Sequence, residues 1–380
     1  MPTLPRFSPR RPLLRALALA SCLLGGHAFG AETWPEADWP HGATPSGAAV
    51  QAFESYAFPS RDDATRKGVR TDAVVVIRDG QLIYERYAGP TSAQTPHLAW
   101  SMSKSVMASV LGVAYGEGRF QLDDPVASHY APFAVHRDIH MRHLLNWASG
   151  LAWQEDYEYA PVRSSVVAML YTRGRDDMAK FAADFPLDAI PGQRFRYSSG
   201  DSNVLSATLR QMVGPQAYAD YPWTALFQPL GIQSAVWERD ASGTFVGSSY
   251  AYMTARDMAR IGLLMQRGGR WKERQLLPQA WLQFVLAPFP NYKPQAEKPG
   301  EAVPGGQWWL NRAVAGAPAP WPSAPEDTFA ALGHWGQALY VIPEEKLVIV
   351  RYADDRDGSY QHDAFLKLAR AAFAHGEVQP

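Results

Sequence analysis

Ser101 and Lys104, three residues apart in "HLAWSMSKSVMASVLGVAYGEG", stand where an apolar helix is expected to begin. Residues i and i+3 of a helix share a face, which brings the hydroxyl and the amine within reach of each other. The macrodipole is positive at that end, so it favours an alkoxide and disfavours a protonated amine. Both effects suit a serine nucleophile activated by a neutral lysine, provided that desolvation lowers the lysine pKa toward the working pH. Trp100, Met102 and Met107 are the large apolar neighbours that would supply the desolvation. The plainer alternative is a serine helix cap followed by a solvated charge. Average abundances predict about one such pair per chain of this length, so the pair alone is a weak signal. Its context is stronger, because no other lysine of the chain has a serine three residues before it.

Two further stretches bear on the same chemistry. In "PGQRFRYSSGDSNVLSATL", Tyr197 falls in a polar turn before a helix opening near Asp201. A phenol there would stand beside an ammonium and have its pKa lowered; the alternative is a half-buried tyrosine with a satisfied hydroxyl. In "ALGHWGQALYV", His334-Trp335-Gly336 opens a strand, and Gly336 would let a substrate or another backbone approach closely. The backbone amide of Gln337 would then pair with that of Ser101 around the oxyanion of a tetrahedral intermediate.

These residues need a frame that holds them together. "AVVVIRDGQLIYERYAG" is two β-rich runs around Asp79-Gly80, a strong hairpin signal, and "QALYVIPEEKLVIVRYAD" repeats the design around Pro343-Glu344-Glu345-Lys346. The two hairpins are expected to be neighbours in one antiparallel sheet, with "HDAFLKLARAAFAHG" (residues 362–376) as a helix packed on it. Between them, helical periodicity covers residues 103–115, 141–147, 165–171, 201–212 and 255–266. The Pro-, Gly- and Ala-rich stretch 289–325 reads as a long irregular excursion near a pocket rim. No repeat or linker divides the chain. The expected fold is α+β: an antiparallel sheet built from both chain ends, flanked by helices, with a mainly helical subdomain inserted.

Taken in order, Ser101-x-x-Lys104, Tyr197-x-Ser199 and His334-x-Gly336 resemble the three motifs of serine β-lactamases, penicillin-binding DD-peptidases and their esterase and amidase relatives. "VVVIRDGQLIYERY", "MRHLLNWASGLAW", "FRYSSGDSNVLS" and "MTARDMARIGLLMQRGG" extend the resemblance to most of the chain, nearest the class C-like branch and the 6-aminohexanoate-dimer hydrolases. The resemblance implies that Ser101 is the acylated nucleophile, that Lys104 and Tyr197 move its protons, and that the Ser101 and Gln337 amides hold the oxyanion. Which of Lys104 and Tyr197 takes the first proton stays open, since two such groups titrate as a pair.

Two positions depart from the class C pattern: Ser199 stands where the second motif ends in Asn, and His334 where the third begins with Lys. A neutral histidine anchors a carboxylate poorly, which points away from β-lactams and toward esters and linear amides. "QEDYEYAP" resembles the loop in which a tyrosine of the oligomer hydrolases meets substrate, with Tyr157 as candidate and Tyr159 as competitor. Ser199, His334, Trp335 and Gly336 complete the expected substrate-binding set, and Trp100 is expected beside them.

Composition narrows the remaining classes. The chain has 380 residues, 47% hydrophobic and 19% charged, with 36 Lys and Arg against 37 Asp and Glu, so it carries no basic footprint for nucleic acid. Residues 1–30 read as a secretory signal: four arginines, an apolar run, then Ala28-Phe29-Gly30 before a cut at Ala31. Removing the arginines takes the net charge from −1 to about −5. Arg10-Arg11 resembles a twin-arginine signal and Leu19-Ala20-Ser21-Cys22 a lipoprotein box, the latter weakened by an apolar run that continues past Cys22. Residues 31–380 are then one exported serine hydrolase domain, periplasmic or secreted. It has no transmembrane helix, no disulfide, no cofactor and a small-molecule ester or amide as partner. His136, His140 and His143 have metal-like spacing but no further ligand is implied, so no metal is expected. A β-lactamase or D-amino-acid peptidase is the alternative enzyme, and a non-catalytic binding protein on the same fold the alternative outside enzymes. The oligomeric state is not encoded in any of these features.

Overall fold

The run from Ala73 to Ile77 is apolar at every position because both faces of its strand are covered. The computed structural model describes residues 32–294 and 300–374, with residues 1 and 3. In it, Thr71–Arg78 (β1) sends Ala73, Val75 and Ile77 into one core and Val74 and Val76 into another. The chain turns through Asp79 and Gly80, at φ 49° and 78°, into Gln81–Tyr87 (β2). Two positive φ angles are what a two-residue hairpin of this twist requires.

Five more strands complete the sheet: Val303–Pro304 (β3), Trp309–Leu310 (β4), Phe329–Gly333 (β5), Gln337–Ile342 (β6) and Leu347–Ala353 (β7). The spatial order is β2-β1-β7-β6-β5-β4-β3, antiparallel throughout. The two hairpins therefore join along β1 and β7, with Val75 opposite Val350. The 289–325 stretch departs from the expectation of an irregular excursion, since it supplies the edge strands β3 and β4; residues 295–299 lie outside the described residues.

Ala48–Ala57 (α1) and His362–Phe373 (α8) cover one face, with the Phe53 ring 5.3 Å from Phe365 and 5.0 Å from Phe373. The other face packs against Met102–Gly116 (α2) and Ala255–Gln266 (α7). The inserted helical part includes Met141–Leu145 (α3), Ser165–Tyr171 (α4), Met178–Ala183 (α5) and Ser199–Val213 (α6). Side-chain caps fix three of these starts: Ser164 for α4, Asp177 for α5 and Ser198 for α6.

The described residues from Thr33 onward form one compact unit. The export signal and Cys22 lie outside the described residues. No helix among the described residues is long and apolar enough to cross a membrane. His136 meets the Ala183 carbonyl at 2.9 Å, and the His140 N–H donates to His143 Nδ1 at the start of α3. Among the described residues no group of three His, Cys, Asp or Glu side chains could hold a metal ion.

Candidate active site

Ser101 sits at the N-cap position of α2, but its hydroxyl makes no cap bond. It is reached instead by Lys104 Nζ at 3.0 Å, and the Tyr197 phenol lines the same cavity and interacts with it. The preceding residue, Trp100, has φ 46°, a left-handed conformation that is uncommon for a bulky side chain. Such a conformation costs about 1–3 kcal/mol and persists only where the surroundings impose it. Here the Trp100 ring is fixed against His334 at 5.5 Å, Trp335 at 5.3 Å and Tyr250 at 6.3 Å. The strained turn sets Ser101 at the mouth of α2. Ser103 is buried and accepts the Ala251 N–H, which turns it away from this chemistry.

Lys104 is 1% exposed and gives its donors to Ser101 Oγ, Ser199 Oγ at 3.0 Å and the Ser248 carbonyl at 2.9 Å. Burial pushes its pKa down to about 8, opposed by the nearby charge of Glu155. The Tyr197 phenol behaves against expectation. Its pKa is raised, first by burial and then by Glu155, with the Ser101 bond pulling the other way. The ammonium stands over the face of the Tyr197 ring, 4.9 Å from its centroid, rather than against the phenol oxygen. Desolvation therefore sets the direction of this pKa, opposite to the lowering expected from a neighbouring cation.

Ser199 is fully buried and belongs behind the reactive pair rather than on the substrate side. Its hydroxyl donates to Glu155 Oε1 at 2.5 Å and its N–H donates to Glu155 Oε2 at 2.9 Å, while Lys104 donates to its Oγ. Glu155 thus grips the start of α6 and is coupled to Lys104 through one hydroxyl. Sequence reasoning passed over Glu155 although it lies two residues before Tyr157, since no spacing rule links positions 155 and 199. Asp201, buried next to this cluster and bonded by Ser149 and Ser198, is pushed up to about 7 by burial.

A cavity of about 410 Å³ opens on Ser101. Glu155, Tyr157, Tyr197, Gly333 and His334 line the reactive end. Tyr157 stacks on His334 with centroids 5.1 Å apart, whereas its competitor Tyr159 is 94% exposed. Burial lowers the His334 pKa, opposed by Glu158 and reinforced by Arg356.

Trp335, Gly336 and Gln337 are not part of the cavity wall. His334-Trp335-Gly336 forms a tight turn between β5 and β6, with Trp335 at φ 57° and Gly336 at φ 83°, rather than the opening of a strand. A side chain at Gly336 would collide with the buried Arg351–Asp355 ion pair, so glycine is needed there for that pair and not for substrate. Gln337 lies across from Gly333 at the start of β6, its amide side chain bonded to the Ala353 backbone. Gly333 and His334, at the end of β5, line the cavity together with Ser101, and a Cβ on Gly333 would press on the Ala99 carbonyl at 2.6 Å.

Comparison with known proteins adds the family context. The Beta-lactamase family profile matches residues 53–372. A 6-aminohexanoate-dimer hydrolase of Paenarthrobacter ureafaciens is 26% identical over 307 residues, covering 77% of this chain and 74% of that protein. Among solved structures, EstCE1, a hydrolase with promiscuous acyltransferase activity, superposes with a TM-score of 0.66 at 17% identity over 86% of this chain and 98% of that one. A D-stereospecific amidohydrolase from Streptomyces sp. gives 0.60 at 16% identity over 86% and 99%. At these identities the structural likeness speaks for the fold.

Proposed function

The chain belongs to the Beta-lactamase family, and from that premise we propose that it is a serine hydrolase that cleaves a carboxylic ester or linear amide through an acyl-enzyme on Ser101. The observation that carries this reading is a serine hydroxyl 3.0 Å from a fully buried lysine amine, with Tyr197 beside them in the same cavity wall. Neutral Lys104 takes the Ser101 proton as Oγ attacks the carbonyl. Lys104 is the better first base, because burial brings the amine near the working pH while it holds the phenol protonated. The oxyanion forms between the start of α2 and the end of β5, where the Ser101 amide and the backbone at 333–334 replace the pair expected with Gln337. Tyr197 gives its proton to the leaving atom and recovers one from the Lys104 ammonium by relay through a water, since the two groups share no direct hydrogen bond. Water then attacks the acyl-enzyme with the same groups acting in reverse.

A β-lactam or a D-amino-acid peptide carries a carboxylate, and half-buried His334, its pKa lowered by desolvation, offers it no cation, so esters and linear amides suit the site better. The export signal read in residues 1–30 makes the periplasm or exterior the working compartment in this proposal. Acid quenching during turnover of p-nitrophenyl acetate, followed by peptide mass spectrometry, is expected to show an acetyl group on the peptide containing Ser101. An acetyl group found only elsewhere would refute the assignment.

The base assignment carries a pH signature. Only neutral Lys104 accepts the proton, so kcat/KM is expected to rise with pH through about 8. The Glu155 carboxylate favours the ammonium and raises that value, so Glu155→Gln is expected to move the rising limb to lower pH. A limb that stays in place in Glu155→Gln would remove Glu155 from the tuning of Lys104.

A further inference from the structure

The cavity on Ser101 has a second end that the proposed chemistry leaves unused. It is lined by Glu301, Ala302, Trp309, Trp321, Leu332 and His362, brought together from residues 301–332 and the start of α8. Trp309 joins the two ends, its ring 5.5 Å from that of Tyr197 and stacked on Trp147 at 5.2 Å. The walls are fixed in place. Buried Asn311 accepts the Trp321 N–H at 2.8 Å and donates to the Trp321, Ala324 and Pro325 carbonyls, clamping the loop that carries Trp321. The Trp321 ring stands edge-on to Tyr340 at 5.9 Å.

His362 is held as firmly. Its Nδ1 meets the Tyr340 hydroxyl at 2.5 Å, which meets Tyr360 at 2.7 Å, and burial with the nearby Arg351 charge pushes the imidazole down to about 4. The ring is therefore neutral at ordinary pH, and Nε2 takes no hydrogen-bond partner among the described residues. A neutral imidazole offers one hydrogen-bonding atom and no charge. A mostly apolar, preformed pocket with a few placed polar groups, here His362 and Glu301, is the usual form of a small-molecule subsite.

We propose that this end of the cavity binds the leaving group of the substrate, an extended alkyl or aryl chain lying along Trp309 and Trp321 with an uncharged hydrogen-bonding group met by His362 Nε2. The assignment to the leaving side follows from Tyr197, which protonates the leaving atom and is the reactive side chain that touches Trp309. The inference rests on the acyl-enzyme reading above.

The test is kcat/KM for alkyl acetates from methyl to hexyl, followed by released acid, with the full chain. Each methylene seated against the tryptophans is expected to raise kcat/KM about fourfold until the arm is filled. Hexanediol monoacetate is expected to outrun heptyl acetate, an ester of similar length without the terminal hydroxyl. Ala302→Phe, which fills the arm, is expected to bring the hexyl-to-methyl ratio toward one. His362→Phe is expected to abolish the preference for the terminal hydroxyl while keeping the dependence on chain length. Turnover of methyl acetate with no dependence on leaving-chain length in the unaltered chain would overturn the subsite alone, whether or not the variants fold. No turnover of any ester, p-nitrophenyl acetate included, would overturn the acyl-enzyme reading and the subsite with it.

Discussion

Exchanging Lys104 for methionine is expected to lower turnover about a thousandfold while leaving the fold more stable at pH 7. The first effect follows from removing the general base, a role that contributes about 10²–10⁴ in rate. The second follows from the cost of burying an amine that ionises. Lys104 has a folded pKa of about 8 against 10.5 in the unfolded chain. The unfolded state therefore binds more protons between about pH 8 and 10.5, stability from this group rises with pH across that window, and below it the full penalty applies. Two and a half pKa units amount to about 3 kcal/mol. Methionine has a similar shape and escapes the penalty, but it leaves the Ser248 carbonyl without its donor, at a cost of about 1 kcal/mol. The balance is a gain of about 1–2 kcal/mol at pH 7 that vanishes toward pH 10 or above. Thermal unfolding of both proteins across this range decides it: a variant less stable at pH 7 would mean that the lysine is not held against a desolvation penalty.

That trade between stability and chemistry explains which parts of the protein were legible beforehand. The hairpins announced themselves because Asp79-Gly80 and Pro343 to Lys346 are turn chemistry between β-branched runs, and both turns occur in the sheet as β1–β2 and β6–β7. Ser165–Tyr171 and Ala255–Gln266 were equally plain from their apolar period. By contrast α1 left little trace. Only Val50, Phe53 and Ala57 are buried along it, and its N-cap is Gly47 with no side-chain cap bond, so neither a broad stripe nor a start signal marks it.

The site divides the same way. Ser101 and Lys104 are legible because one helix fixes their separation, and Tyr197 because a capped helix start follows it. Glu155, Trp309, Trp321 and His362 reach the cavity only through the packing of distant segments, which no local spacing records. Trp335 and Gly336 drop out of the cavity wall for a local reason: two consecutive left-handed residues tighten the turn after His334, and neither of them lines the cavity.

Replacing Ser101 by alanine is expected to lower turnover by about 10⁴-fold or more and to abolish labelling by a fluorophosphonate, since removing the attacking atom of a covalent mechanism leaves only binding and oxyanion stabilisation. Stability should change by no more than about 1 kcal/mol. The deleted hydroxyl removes one hydrogen bond from Lys104, which keeps Ser199 and the Ser248 carbonyl. The strained Trp100 and its ring contacts are untouched. The mouth of α2 should therefore keep its shape, and lost activity cannot be charged to lost structure. No other serine stands ready to take over. Ser103 accepts the Ala251 N–H, Ser199 is held between Lys104 and Glu155, and Ser101 is the only serine in the cavity wall among the described residues. Labelling or turnover that survives in a folded Ser101→Ala protein would thus require a nucleophile from outside this cavity, and the acyl-enzyme mechanism placed here would fall with it.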